Sequence, residues 1–140
     1  MGYRFLNHTA DVAFDVEAPT RDELFAEALA AFTDTLTERE TVEERVTRRF
    51  ELRSSLLDLL LVDWLTELLY SFETEGLLFR RADVRVTEED GAFLLTADAR
   101  GEAEDPERHQ GKVLVKAVTY HGLEVVEEGD GWRARVVFDI

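Results

Sequence analysis

The sequence predicts an α+β fold: a single domain over residues 1–140 in which a mainly antiparallel sheet packs against two substantial helices. Three observations point there. Apolar and polar residues alternate with a period of two in several short segments, as in strands with one buried face. Two longer segments repeat with the helical period and separate runs of strands. Short turns built on Asp-Gly and Gly-Asp-Gly join neighbouring strands, as hairpins do and parallel crossovers do not. The length, with a hydrophobic fraction of 45%, suffices to bury one core.

Taken in order, Val12, Phe14, Val16 and Ala18 alternate with Ala13, Asp15 and Glu17, and Pro19 closes this strand. Thr20 followed by Glu23 has the spacing of a capping box, and Leu24, Phe25, Ala28, Leu29, Phe32 and Leu36 then share one helical face. Residues 37–45 read as a solvated connection. Val46, Arg48, Phe50 and Leu52 alternate with Thr47, Arg49, Glu51 and Arg53 as a further strand. Ser55 with Asp58 marks the start of a second helix, apolar nearly all round from Leu56 to Phe72, and Gly76 is its expected stop. Asp58, Asp63 and Glu67 argue against a membrane span, because each carboxylate in mid-bilayer costs about 2.5–3.5 kcal/mol. This helix is expected to lie across the sheet.

Ala82, Val84 and Val86, then Phe93, Leu95, Ala97 and Ala99, form a hairpin around Asp90-Gly91. Residues 101–111 read as a polar loop in which Asp105-Pro106 has the chemistry of a helix start. Residues 112–120 suit either a short helix stopping at Gly122 or a strand. The segments 123–127 and 132–140 make a last hairpin around Gly129-Asp130-Gly131, with Trp132, Ala134, Val136 and Phe138 facing in.

The chain has no cysteine, which excludes disulfides, thiolate metal sites and a Cys nucleophile. Its opening MGYRFL lacks the apolar stretch of a secretory signal, so a cytoplasmic location is expected. A net charge of −15 opposes sequence-independent binding to nucleic acid and favours encounter with a basic partner. Phosphate loops, GxGxxG, HExxH and GxSxG are absent, which removes most familiar enzyme classes.

Three places carry candidate chemistry. His8-Thr9-Ala10-Asp11 opens a strand, so His8 and Asp11 either share a site or shape a turn. Asp139-Ile140 closes the last strand; alternation turns Asp139 away from the core, and with Asp11 and the terminal carboxylate it makes an all-oxygen set suited to Ca²⁺, Mg²⁺ or Mn²⁺, or else a solvated strand end. The segment 112–121 holds both lysines of the chain, Lys112 and Lys116, followed by His121. A lysine there can neutralise carboxylates or hold a phosphate. Asp63 and Glu67 share a helix face at i, i+4, either as paired general acid and base residues or as its solvent side, while Trp64 and Trp132 read as core. No role falls to His109.

Together these segments resemble the archease family. The resemblance rests on His8-Thr9-Ala10-Asp11, the stretch from Thr20 to Phe25, the stretch from Trp64 to Tyr70, Gly101-Glu102, the stretch from Lys116 to His121, and Phe138-Asp139-Ile140, in this order across nearly the whole chain. It implies a non-enzymatic accessory protein of the GTP-dependent, RtcB-type tRNA-splicing RNA ligase, which joins 2′,3′-cyclic phosphate or 3′-phosphate ends to 5′-hydroxyl ends through a guanylylated histidine. It implies promotion of ligase guanylylation and multiple turnover, an indirect association with tRNA, a chaperone-like manner of action, and a divalent metal, calcium first, held by residues matching Asp11, Asp139 and Ile140. The functional lysine of the family matches Lys116. His8, Glu102 and His121 are further candidates within the matching segments. The rival expectations are a metal-dependent phosphoester hydrolase built on the same carboxylates, and a general chaperone or binding module.

Overall fold

The computed structural model describes residues 2–7 and 11–140, without the side chains of residues 6 and 7. The alternating segments become strands, and they divide between two antiparallel sheets. β1 (Gly2–Asn7), β2 (Asp11–Ala18), β6 (Ala117–Glu128) and β7 (Gly131–Asp139) form one sheet in the order β1-β2-β7-β6. β3 (Val46–Ser54), β4 (Leu77–Glu89) and β5 (Ala92–Ala103) form the other in the order β3-β5-β4. Helix α1 (Arg21–Leu36) packs on β2 and β4, and α2 (Leu57–Glu75) touches β3, β4, β5 and β6. The long helix therefore serves both sheets rather than lying across one.

The hydrophobic pattern is obeyed closely. Leu24, Phe25, Ala28 and Leu29 of α1 and Leu60, Leu61, Trp64, Leu65 and Leu68 of α2 are buried, each large side chain contributing about 1.5–3 kcal/mol. Trp64 Nε1 donates to the Phe25 carbonyl at 3.0 Å, which satisfies its polar atom and ties the helices together. Asp63, Thr66 and Tyr70 form the exposed stripe of α2 and Glu67 is half-buried beside it, so the solvent-face reading holds for Asp63 and only in part for Glu67. Among the described residues no helix is long and apolar enough to cross a membrane.

Helix ends follow local chemistry. Thr20 Oγ1 accepts from the Glu23 amide at 3.1 Å, and Gly76 closes α2 in the left-handed region at φ 66°. The start of α2 differs from expectation. Leu56, not Ser55, is the capping residue, because Asp58 Oδ1 turns to the adjacent Leu59 amide at 2.8 Å. Asp90 and Gly91 both have positive φ, 51° and 76°, as the tight hairpin turn requires.

Further departures share one origin, tertiary pairing. Strand β1 was not expected; it pairs with β2, and its Tyr3 hydroxyl donates to Asp34 of α1. Val42 lies fully buried inside the supposedly solvated connection. Strand β5 runs on to Ala103, so the polar loop begins later than residue 101. Asp105-Pro106 opens a turn, not a helix. The segment 112–120 forms no helix: β6 begins at Ala117, because β7 pairs with Ala117, Val118 and Thr119, and residues 112–116 are neither helix nor strand. Gly122, at φ 62°, marks a bulge in that ladder rather than a helix end.

Candidate functional site

The first residue of β2 and the last of β7 meet at one corner of the four-stranded sheet. The register sets Asp11 directly opposite Asp139, and Ala117 of β6 lies opposite Asp139 on the other side. Directly opposed residues project from the same face with Cβ atoms about 4.5–5.5 Å apart. One step inward Val12 opposes Phe138. Phe138 is fully buried against Phe14 and Phe32, at ring-centroid distances of 5.2 and 5.6 Å. This aromatic anchor fixes the end of β7, and alternation then turns both aspartates away from the core. Asp11 is half-buried and Asp139 exposed.

Two aspartates opposed in this way repel each other. Two rows along the same face the problem is solved differently: Asp15 opposes Arg135, which holds it with hydrogen bonds of 2.7 and 3.0 Å. That pairing keeps the Asp15 carboxyl below its usual range despite its burial. At the corner Ala117 of β6 stands opposite Asp139 on its other side. Lys116, exposed, stands next in the chain and donates its amide to the Asp139 carbonyl at 2.8 Å. Ile140 follows Asp139 and is half-buried. A carboxylate pair of this kind fits a hard cation in donor type. Among the described residues no group of three His, Asp or Glu side chains is placed to hold a metal, so an ion here would rest on Asp11, Asp139 and oxygens of Ile140 or water.

A second polar centre lies at the end of β5. Glu102 is 3% exposed, yet it accepts from Arg108 Nη1 and Nη2 at 3.1 and 2.7 Å, from His109 Nε2 at 2.9 Å and from the Glu43 amide at 2.8 Å, with Arg45 Nε at 3.2 Å. The Arg108 hydrogen bonds, helped by the Glu43 amide and His109, outweigh burial and hold its carboxyl down at about 2. Next to it, Gly101 admits no side chain: a Cβ there would stand 1.8 Å from the Leu78 carbonyl oxygen.

The chain matches the sequence profile of the Archease protein family (MTH1598/TM1083) over residues 3–140. It belongs to the archease family. Protein archease of Methanosarcina barkeri is 40% identical over 139 residues, covering 99% of this chain and 95% of that protein. Protein archease of Pyrococcus furiosus is 37% identical over 134 residues, covering 95% and 94%. The solution structure of Methanobacterium thermoautotrophicum protein 1598 is similar to this chain with a TM-score of 0.88 at 37% identity, over 99% of each chain. Archeases are accessory proteins of RNA ligases, and at that level the accessory reading stands.

The archease fold thus brings Asp11, Asp139, Ile140 and Lys116 to one corner, and it does not bring the other candidates there. His121 is exposed on β6, four residues beyond Ala117, with its amide donating to Thr119 Oγ1 at 3.2 Å. Glu102 belongs to its own buried centre. His8 lies outside the described residues. His109, to which the sequence assigned nothing, is 4% exposed and fully engaged: the Asp105 amide donates to its Nδ1 at 2.8 Å, which leaves Nε2 as the donor to Glu102. No motif announces this. The only signal is a histidine seven residues beyond a glutamate, in a loop too polar to need a buried residue.

Proposed function

We propose that this archease activates a GTP-dependent, RtcB-type tRNA-splicing RNA ligase, promoting its guanylylation and multiple turnover without catalysing a reaction of its own. The observation that carries the reading is the direct opposition of Asp11 and Asp139 on one sheet corner, with the Lys116 amide bound to Asp139. A divalent cation bound there, Ca²⁺ first and Mg²⁺ or Mn²⁺ as alternatives, neutralises the pair and supplies an electrophilic centre for phosphate oxygens. Asp11 and Asp139 bind and orient it from the face turned away from the core. Lys116 adds a positive charge on the same corner, able to steady a nucleotide phosphate. The net charge of −15 steers the molecule to the basic surface of an RNA-binding enzyme and disfavours direct binding of tRNA, whose association is therefore indirect. The setting is the cytoplasm.

The test is RNA ligation by the cognate ligase at large substrate excess, with GTP and Mn²⁺. Wild type is expected to give many turnovers per ligase, and Asp139→Ala to remain folded and give almost none. A parallel thermal melt reads the cation directly: Ca²⁺ at a hundred times its Kd raises stability by about 2.7 kcal/mol, and Asp139→Ala abolishes the rise. A fully stimulating Asp139→Ala sinks the reading.

A further inference from the structure

Residues 104–116 contain neither helix nor strand, a length of irregular chain that compact domains seldom carry without a function for it. This strap is held at three levels. At its start, Arg108 and His109 bind Glu102, and the turn closes on itself through Arg108 and His109 amides donating to the Asp105 carbonyl at 3.0 and 2.7 Å. In the middle it crosses the C-terminal end of α1, where Thr37 Oγ1 donates to the Gln110 carbonyl at 2.8 Å and the Lys112 amide to the Leu36 carbonyl at 2.9 Å. At its end the Lys116 amide meets Asp139. Lys112, Leu114 and Lys116 are exposed while Val115 is buried, the alternation of an extended chain. A slip of one residue would turn Val115 out and Lys116 in.

We infer that Glu102 and His109 are positioning residues that clamp the strap in the register that presents Lys116 beside the Asp11–Asp139 pair. His109 suits the task because it accepts from Asp105 and donates to Glu102 at once, which no aliphatic side chain does. The clamp sits at the end of β5 in the three-stranded sheet and Lys116 immediately precedes β6 of the other, so the strap carries the register from one sheet to the other. The functional part of this inference rests on the activator role proposed above; the mechanical part does not.

Two measurements test it. His109→Asn keeps an acceptor for Asp105 but is too short to bring its N–H₂ to Glu102, whereas the longer side chain of His109→Gln places a donor there again. Amide hydrogen exchange in folded His109→Asn is expected to quicken at Lys112 and Lys116 by about tenfold or more while Phe14 and Val136 keep their protection, and His109→Gln is expected to recover part of it. Ligase stimulation is then read in a double-mutant cycle. His109→Asn should lower the maximal stimulation, and should cost nothing further in a Lys116→Ala background. Unchanged exchange at Lys116, or losses that add, overturn the clamp. If wild type itself gives no stimulation, the activator role fails while the exchange result still decides the clamp.

Discussion

Replacing Glu102 by glutamine tests the buried centre with almost no change of shape. The carboxylate faces donors only: Arg108 Nη1 and Nη2, His109 Nε2, the Glu43 amide and Arg45 Nε. A glutamine must point its own N–H groups at some of them. Removing one partner of a buried ion pair costs about 3–5 kcal/mol, but Arg108 is 37% exposed and Arg45 63% exposed on their side chains, so both can turn partly to water. That sets the expected loss near ~3 kcal/mol. The lowered carboxyl gives a consistent figure. A carboxyl held at about 2 against an ordinary 4.5 represents ~3 kcal/mol, and solvent screening reduces it towards ~2 kcal/mol.

The sign follows from the lowered value. Glu102 contributes stability that is fully present above its unfolded value of 4.5 and is lost as pH falls towards about 2. Urea unfolding at pH 7 should therefore show Glu102→Gln weaker by roughly 2–3 kcal/mol with an unchanged m-value, a drop in melting temperature of about 10 °C. By pH 3 more than half of the difference should have gone. A loss below about 1 kcal/mol at pH 7, or one that does not shrink in acid, would refute the account of this centre.

Gly101→Ala places a Cβ against main-chain atoms, 1.8 Å from the Leu78 oxygen and 2.7 Å from Phe79 Cα; β4 and β5 must part to admit it, and a loss of about 3 kcal/mol or more is expected in urea unfolding. Thr20→Ala removes the oxygen that caps the Glu23 amide and should cost about 1 kcal/mol, read as a small fall in melting temperature without loss of helix signal. Though Asp63 lies on the exposed stripe of α2, partial desolvation against the helix surface pushes its carboxyl up, so its charge opposes folding above its unfolded value and that penalty vanishes in acid. Asp63→Asn should accordingly raise the melting temperature slightly at pH 7 and leave it unchanged at pH 3; a lower melting temperature at pH 7 counts against a desolvation cause.

The strands, turns and helix faces that depend on nearby residues were legible in the sequence. β2 showed one buried face through Phe14, Val16 and Ala18, while Val12 is half-buried and Ala13 and Asp15 on the other face are buried as well; the β4–β5 turn announced itself in Asp90-Gly91; α2 ended at Gly76 as expected. What failed depended on distant partners. Alternation tells which face of a strand is buried and not which strand lies beside it, so the division into two sheets was hidden, as were β1 and the extended strap. The corner site was legible in part, for alternation turned Asp139 outward, but only the pairing of β2 with β7 places Asp11 opposite it. His109 stayed invisible because its worth lies in Glu102 and Asp105, and nothing in its own neighbourhood demands burial.

The four-stranded sheet joins the first two described strands to the last two, while β3, α2, β4 and β5 follow one another in a continuous stretch. Aligning β2 with β7 closes a loop that contains everything between them, and loop entropy delays such closures behind local hairpins. The three-stranded sheet can order around α2 before the corner exists. Asp11 and Asp139 are therefore expected to meet late in folding, which pulse-labelling hydrogen exchange at β2 and β7 checks. Conversely, whatever bridges the two carboxylates fastens the longest-range strand pairing among the described residues, so occupancy of the corner should slow unfolding.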